Sequence, residues 1–492
     1  MSGRTPRCIF VTAVALAVMT TWPAAAGANV PLTRVSADPF SNSTSQHATE
    51  LEPDTFAYGS TVVAAFQVGR FFNGGATDIG VVRSGDGGQT WDAPDFLPGM
   101  TFSSGADSPF ERVSDASVAY DAAHGVWLIS SIPIMANGAV PVVYVNRSID
   151  DGRTWSGPSA LPAPQNKKVD LDKNWTVCDN WALSPHRGTC YTEYDDFGSG
   201  GIILMSRSTD GGRTWSPGVA AGGPAKGLGG QPVVQPNGNV IVPFDAYNGK
   251  IESFMSTDGG TSWTKAIEVA PIRAHQVAGG LRTRSMPSAE IDGAGRVYVV
   301  WQDCRFRVKC AANDIVLSRS ADGVNWTKPA RIPIDPVTSG VDHFIPGLAV
   351  DPNSSGRTAH LALTYYFYPD ATCAAGCQLK VGYVSSPDGG AHWGDATTLA
   401  GPFPLDEVAN TSQGRMVGDY ISTSFSGSTA TTVVAIGKPS TTAGFNEAMY
   451  APSTPLTVAT AAQATHPARS SGVQASGTGV GTGEAHHELR ED

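Results

Sequence analysis

The chain has 492 residues, with 33 Lys and Arg against 44 Asp and Glu, which gives a formal net charge of −11 at pH 7. This acidic balance argues against nucleic acid and anionic membrane surfaces as partners, because both attract basic proteins. The composition, with 56 glycines and 34 prolines, agrees with a loop-rich β protein.

The N-terminus has the pattern of a secretory signal peptide. Arg4 and Arg7 precede an apolar stretch at residues 8–22, and small residues follow at 26–28. This order is typical of a cleaved leader. We therefore expect residues 1–28 to be a signal peptide and the protein to be secreted and extracellular. No later segment is long and apolar enough to span a bilayer, so we expect a soluble protein. Loss of the leader would take the 33 basic residues to 31 against 44 acidic ones, a net charge of −13.

The cysteines agree with export. Six remain after the leader, in three close pairs: Cys178 with Cys190, Cys304 with Cys310, and Cys373 with Cys377. An even number in an exported chain, spaced for local loop closure, predicts three disulfides. A zinc site is the less favoured alternative, because His residues at ligand spacing are absent.

Six copies of one short motif occur between residues 83 and 393. They are RSGDGGQTW (83–91), RSIDDGRTW (147–155), RSTDGGRTW (207–215), MSTDGGTSW (255–263), RSADGVNW (319–326) and SSPDGGAHW (385–393). Each combines turn-forming Asp and Gly with a Trp that can pack under the turn. The copies lie 48 to 66 residues apart, which is typical of a repeated β-sheet unit that buries its apolar face against its neighbours.

This motif is the Asp-box, and the chain resembles the sialidase-like (bacterial neuraminidase repeat) β-propeller superfamily. The resemblance implies an all-β propeller whose boxes shape turns. We expect each box aspartate to accept hydrogen bonds from its own turn and not to meet substrate.

The number of blades follows from the inner strands. Apolar runs that follow a polar loop begin near Glu50, Val113, Trp175, Pro232, Pro287, Ile345 and Val417. Seven runs against six boxes favour a seven-bladed β-propeller, with six blades as the alternative. Residues 30–35 could complete the last blade, since a strand from the other terminus removes exposed sheet edges. We expect one propeller domain at residues 29–456 and a disordered tail at 457–492, where large apolar residues are almost absent.

The resemblance also suggests a site at the mouth of the central channel. Arg70 matches one arginine of the sialidase clamp on the substrate carboxylate, and Tyr420 matches the tyrosine nucleophile. A neutral phenol deprotonated by a neighbouring carboxylate suits an anionic sugar. Glu193 or Asp303 is the candidate for that neighbour, and Asp78 is the candidate acid/base.

The chain also diverges from orthodox sialidases. The segment Glu50–Pro53 stands where the sialidase Phe-Arg-Ile-Pro motif has an arginine, and Gln378 stands where another arginine is expected. Other arginines from several blades could rebuild the clamp: Arg112, Arg282, Arg284, Arg305 and Arg415.

Three function classes follow. The first is a sialidase-like exo-glycosidase that removes a terminal, acidic sugar from extracellular glycans. The second is a uronate-directed lyase or rhamnosyl-uronate hydrolase, with His47 or His343 carrying the proton. The third is a non-catalytic glycan-binding propeller. We expect a glycan or polysaccharide as the partner, a monomer and no required cofactor.

Two further assignments concern ligands. Glu50 and Glu52 are candidate ligands of a structural Ca²⁺, because oxygen ligands clustered at a ring centre suit that ion. Tyr366 is a candidate platform for a sugar ring.

Overall fold

The computed structural model describes Met1 and residues 30–164, 168–223, 225–374, 376–440 and 444–470. Apart from Met1, the expected signal peptide lies outside these residues. The described chain is nearly all β-strand, with four short 3₁₀ turns at Phe197–Ser199, Val308–Cys310, Gly356–Thr358 and Leu405–Glu407. No helix among the described residues is both long and apolar enough to cross a membrane.

The strands form successive antiparallel groups. An N-terminal strand, β1 (Leu32–Arg34), precedes the first group, β2 (Gln46–Tyr58), β3 (Thr61–Arg70), β4 (Ala76–Ser84) and β5 (Asp95–Phe96). The second is β6 (Arg112–Asp121), β7 (Val126–Ile134), β8 (Tyr144–Ser148) and β9 (Ser159–Ala160). The third is β10 (Leu171–Cys178), β11 (Cys190–Asp196), β12 (Ile202–Ser208) and β13 (Val219–Ala220).

The second half of the chain repeats this plan. The fourth group is β14 (Gly227–Leu228), β15 (Val233–Val234), β16 (Val240–Ala246), β17 (Lys250–Ser256) and β18 (Ile267–Pro271). The fifth is β19 (Ser288–Ile291), β20 (Val297–Asp303), β21 (Asp314–Ser320) and β22 (Ala330–Arg331). The sixth is β23 (Asp342–Val350), β24 (Leu361–Tyr368), β25 (Gln378–Ser386) and β27 (Thr397–Pro404). The short strand β26 (His392–Trp393) comes between β25 and β27 in the chain but is not part of their sheet, in which β25 pairs with β27 directly.

A short hairpin, β28 (Ala409–Thr411) and β29 (Gly414–Met416), leads to the last group. This group is β30 (Thr423–Ser426), β31 (Thr429–Thr432), β32 (Val434–Gly437) and β33 (Glu447–Pro452), followed by β34 (Leu456–Thr457) and β35 (His466–Pro467). β1 pairs antiparallel with β33, so the N-terminal strand joins the last group, as the sequence suggested.

The inner strands meet one another in chain order. β2 contacts β6, β6 contacts β10, and the series continues through β15, β19 and β23 to β30, which contacts β2 again. This all-β arrangement of repeated sheets is of the propeller type. The count of seven blades stays a prediction, which these pairings and contacts support.

The Asp-boxes form the turns expected of them. In the first box, the Gly88 amide donates to Ser84 Oγ at 2.8 Å, while the Thr90 amide and hydroxyl donate to the Asp86 carboxylate at 2.8 and 2.6 Å. The box aspartate also accepts an amide hydrogen bond from its own turn at Asp150, Asp210, Asp258, Asp322 and Asp388. The six boxes therefore stabilise the fold and do not form the site.

The core lies between neighbouring groups. Val63 and Ile79 of the first group pack with Val113 and Trp127 of the second in one buried cluster. Because each sheet covers the apolar face of the next, no group buries its core alone.

The three predicted disulfides are confirmed as Cys178–Cys190, Cys304–Cys310 and Cys373–Cys377. The first joins partner positions on β10 and β11. The second closes the turn after β20, and the third closes a loop before β25.

The predicted disordered tail begins too early. Thr457 accepts a hydrogen bond from the Tyr383 hydroxyl at 3.1 Å, and β35 pairs with β26. Ala464 is buried. The segment 457–470 is held largely by backbone hydrogen bonds, which need no large apolar side chains, so its composition did not reveal its order. Residues 471–492 lie outside the described residues.

Candidate functional site

Three inner strands bulge at the same place and carry ionisable residues there. Glu52, Asp115 and Lys173 have φ of 57°, 52° and 31°, and the pairing register of β2, β6 and β10 shifts around them. Non-glycine residues in this left-handed region are strained, and such strain concentrates at functional sites. The repeated bulge brings side chains of three groups together.

Lys173 lies at the centre of this meeting point and is almost fully buried. Its Nζ lies 2.8 Å from Asp115 Oδ1, 2.9 Å from Asp419 Oδ2 and 3.5 Å from Glu52 Oε1. Arg282 also binds the Asp419 carboxylate through Nε, at 2.8 Å, and through Nη2. We call Glu52, Asp115, Lys173, Arg282 and Asp419 the axial cluster.

Arg70 connects to this cluster but does not line a cleft. It is fully buried, and its Nη1 donates to Gln67 Oε1 at 2.6 Å. Gln67 in turn donates to Glu52. Nε and Nη2 of Arg70 have no hydrogen-bond partner among the described residues. The predicted role of Arg70 in orienting substrate stays a prediction.

Tyr420 lies directly beside the axial cluster. Its ring packs edge-on against Trp175, with centroids 5.1 Å apart, and Lys173 Nζ lies 5.6 Å from its centroid. Its hydroxyl donates to the backbone carbonyl of Ala116 at 3.3 Å, where the sequence suggested a carboxylate partner. Burial, followed by the nearby charge of Glu52, raises the pKa of Tyr420 well above its usual range, so the phenol is neutral.

A narrow cleft lies against Tyr420. Its lining residues are Lys173, Asn174, Trp175, Glu193, Gly229, Gly230, Gln231, Met286 and Tyr420. Sequence reasoning gave no role to Trp175 or Met286. The position of Trp175 at the start of an inner strand was the signal that could have drawn attention to it.

Glu193 brings a buried carboxyl group to this cleft. Glu193 and Asp195 lie two residues apart on β11 and are fully buried, and their carboxylate oxygens have no standard hydrogen bond among the described residues. Burial raises the pKa of Glu193 well above its usual value, and the Gly230 amide offsets this only in part. Burial and the neighbouring Glu193 also raise the pKa of Asp195. Both carboxyl groups therefore keep their protons to a higher pH than an exposed carboxyl group does.

Arg284 lies near the cleft and is also paired. Its Nε donates to Asp245 Oδ2 at 2.6 Å, and its guanidinium lies 5.6 Å from the centroid of Tyr247. Its side chain remains 23% exposed, against 9% for Arg282 and 3% for Lys173. Arg284 is therefore the most exposed of these three cations.

Asp303 and Arg305 bind each other. Arg305 Nε and Nη2 donate to the two oxygens of Asp303 at 2.8 and 2.7 Å. The Arg273 amide and the Trp301 indole also donate to this carboxylate. The pair holds the loop closed by Cys304, so Asp303 is not the partner of Tyr420, whose hydroxyl donates to Ala116. The substrate-binding role of Arg305 stays a prediction.

His47 holds a loop of its own. Its Nε2 lies 2.7 Å from the Asn42 carbonyl and its Nδ1 lies 3.2 Å from Asp38. Asp38 also accepts the Ala48 amide. His47 does not line the cleft, and its contacts hold its own loop. The role of His47 as a proton carrier stays a prediction.

His343 belongs to a separate buried cluster. Its ring and the carboxylates of Asp314 and Asp335 place ligand atoms within 4.8 Å of one another, the one such trio in the described ranges. Arg307 Nη2 lies 2.6 Å from Asp314 and 2.9 Å from Asp335, and Arg331 Nε lies 2.8 Å from Asp314. Two arginines thus already neutralise the negative charge of the carboxylates that would have to bind a metal ion. Burial lowers the pKa of His343, which favours its neutral form. His343 does not line the cleft beside Tyr420.

Tyr366 lies in the core and not at the mouth. It is fully buried, and its hydroxyl donates to the Ala435 carbonyl at 2.8 Å. This corrects the expectation of a sugar platform, because adjacent tyrosines on β24 alternate between the faces of a sheet.

Arg415 donates to the Val408 carbonyl at 2.9 Å, and Arg112 donates to the Gly74 carbonyl at 3.0 Å. Both arginines bind backbone.

Asp78 lies on β4 and does not line the cleft. Its Oδ1 accepts the Ile79 amide at 2.8 Å, and burial raises its pKa to about 7. That pKa suits an acid/base, but the structure does not bring Asp78 and Tyr420 into one cleft.

Glu50 and Glu52 do not share partners. Glu52 faces Lys173, while Glu50 accepts from the Ser36 hydroxyl and lies 3.5 Å from Arg34 Nη2. Neither belongs to the ligand trio found among the described residues. The calcium site stays a prediction.

Glu50 gives the fold a pH dependence. Burial raises its pKa from 4.5 to about 7. The unfolded chain loses this proton near pH 4.5, whereas the folded chain keeps it to about pH 7. The contribution of Glu50 to the free energy of unfolding is therefore fully present below pH 4.5 and is lost as the pH rises to 7. The loss is about 3 kcal/mol.

We expect Glu50→Gln to remove this part of the pH dependence. Urea unfolding at pH 4.5 and pH 7.5 should show the variant gaining stability relative to the wild type at the higher pH. An equal difference between the two proteins at both pH values would contradict the assignment.

Comparison with known proteins identifies the repeat. Residues 59–270 match the model of the BNR repeat-like domain family. This part of the chain is therefore similar to a BNR repeat-like domain, which confirms the sialidase-like resemblance drawn from the Asp-boxes. A search of curated protein sequences finds no match.

Similar solved structures share low identity. A protein of unknown function from Dyadobacter fermentans is 17% identical with a TM-score of 0.46, over 72% of this chain and 99% of that one. Trypanosoma rangeli sialidase is 14% identical with a TM-score of 0.42, over 69% and 58%. An ulvan lyase, a polysaccharide lyase, is 10% identical with a TM-score of 0.49, over 85% and 95%. These values concern the fold and not the activity.

Proposed function

We propose that the protein is a secreted, carbohydrate-active hydrolase of the sialidase-like, exo-acting kind, which removes a terminal sugar from extracellular glycans. One observation carries this proposal: Tyr420 and Glu193 line the same cleft, and the Glu193 carboxyl group is buried without a standard hydrogen bond. Strained, ionisable residues beside the cleft add to it.

In the proposed reaction, Glu193 acts as the general acid. A carboxyl group whose pKa is raised by burial can hold a proton and give it to the departing glycosidic oxygen. Tyr420 acts as the nucleophile on the anomeric carbon. As it attacks, the Tyr420 hydroxyl must give up its hydrogen bond to the Ala116 carbonyl and pass its proton to a carboxylate. The carboxylates whose charge acts on this hydroxyl are Glu52, Asp115 and Asp54. Trp175 supplies an aromatic wall for the sugar ring.

Recognition of an acidic sugar would depend on Arg284. Lys173 and Arg282 are held by Asp115 and Asp419. An acidic sugar, as the sequence suggests, would bind by competing with Asp245 for the partly exposed Arg284. No contact described above favours the histidine-based lyase, because His47 and His343 lie outside the cleft.

A substrate panel tests the proposal. We expect the wild-type protein to release reducing sugar from at least one member of a set of α-sialosides, rhamnosyl-glucuronides and uronic-acid polymers. Ultraviolet absorbance of an unsaturated uronate would indicate a lyase and contradict the proposal. Binding without any product would indicate a glycan-binding protein.

The variant Glu193→Gln then tests the acid. It keeps the shape of the side chain but has no proton to give, so we expect a loss of about 100-fold or more on natural glycosides. An aryl glycoside whose leaving group needs no proton should be cleaved at nearly the wild-type rate. Equal losses on both substrates would contradict the role of Glu193.

A further inference from the structure

The segment that carries Tyr420 is anchored on one neighbouring strand. The Glu52 amide donates to the Val417 carbonyl at 3.1 Å, and the Asp419 amide donates to Glu52 Oε1 at 2.9 Å. Gly418, between them, has φ of 136°, and a Cβ there would lie 2.8 Å from Glu52 Cα. The backbone therefore lies against the β2 bulge, where only glycine fits.

The side chain of Asp419 connects this segment to further strand groups. It binds Lys173 of the third group and Arg282, which precedes the fifth group. Lys173 also binds Asp115 of the second group. Lys173 thus connects the segment before β30 with the first, second and third groups.

Lys173 also faces Tyr420 itself. Its Nζ lies 5.6 Å from the ring centroid, on a ring whose edge contact with Trp175 closes one wall of the cleft. Trp175 lies two residues after Lys173 on β10. The bulge at Lys173 therefore sets both the ammonium group and the Trp175 wall relative to Tyr420.

We propose that Lys173 is a positioning residue: its ion pairs with Asp419 and Asp115 hold Tyr420 against Trp175 in the cleft. Without the ammonium group, Glu52, Asp115 and Asp419 would keep only Arg282 as a cation of the axial cluster. Mutual repulsion of buried carboxylates would then move Asp419 and the adjoining Tyr420. The kinetic part of this inference rests on the proposed function, whereas its structural part does not.

The test compares Lys173→Met with Lys173→Arg and with Lys250→Met. Lys250 pairs with Glu268 on the surface and serves as the control for loss of one lysine. For Lys173→Met we expect kcat to fall about 100-fold while KM changes less than about threefold, because a nucleophile misplaced by about 1 Å costs this much. Lys173→Arg should recover at least about tenfold of that loss, and Lys250→Met should match the wild type. Unchanged kcat in Lys173→Met, or a loss of kcat that Lys173→Arg does not recover, would overturn the inference.

A crystal structure of Lys173→Met gives a readout that needs no activity. We expect the Tyr420–Trp175 centroid distance of 5.1 Å to lengthen. An unchanged distance would overturn the inference even if the proposed function failed. If Lys173→Met does not fold, the double variant Lys173→Met/Asp115→Asn removes one repelling charge with the cation. We expect this relief of repulsion to restore folding, and a double variant that is equally unfolded would overturn the inference.

Discussion

Replacement of Tyr420 by Phe is expected to abolish turnover and to leave the fold almost as stable as before. The proposed nucleophilic oxygen is lost, which should cost about a thousandfold or more in kcat. The lost hydrogen bond to Ala116 should cost only about 1 kcal/mol of unfolding free energy. The measurements are kcat on the substrate found in the panel and the urea unfolding midpoint.

Tyr366→Phe is the matched control. Tyr366 is also buried, and its hydroxyl also donates to a backbone carbonyl, that of Ala435. We expect a similar small loss of stability and no loss of turnover. Full activity in Tyr420→Phe, or an equal loss in both variants, would remove Tyr420 from the mechanism.

Arg307→Met is expected to have the largest effect on stability. Arg307 is 5% exposed, and its guanidinium binds Asp314, Asp335 and the carbonyls of Pro336, Val337 and Ser339. Its removal leaves two aspartates, one of them fully buried, with Arg331 as their remaining arginine partner. Breaking a buried ion pair in this way costs about 3 to 5 kcal/mol.

Urea unfolding of Arg307→Met measures this loss against Arg153→Met. The Arg153 side chain is 58% exposed and lies 3.6 Å from Asp151, so its removal should change the unfolding free energy by less than about 1 kcal/mol. Similar losses in the two variants would show that the cluster around Asp314 does not support the fold.

Local features were predictable from the sequence. The Asp-box turns use contacts within five residues, such as that between Asp86 and Thr90. Each disulfide also joins cysteines at most twelve residues apart. The N-terminal strand was predicted because a strand from the other terminus removes exposed sheet edges, and it does join the last group.

The site was less predictable because it depends on bulges and on distant partners. The positive φ at Lys173 has no marker in the residue type, and its partners Asp115 and Asp419 lie on other groups. Charged residues such as Asp303 and Arg305 look available in the sequence, yet they bind each other. A count of ionisable residues at strand ends cannot separate these two outcomes.

The measurement that tests the central claim most directly is covalent trapping at Tyr420. A fluorinated glycosyl fluoride of the sugar identified in the panel slows breakdown of a glycosyl-enzyme intermediate, and peptide mass spectrometry locates the attached sugar. Our account predicts the label on the Tyr420 side chain in the wild type and none in Tyr420→Phe. A label on another residue, or time-dependent inactivation that persists in Tyr420→Phe, would contradict it.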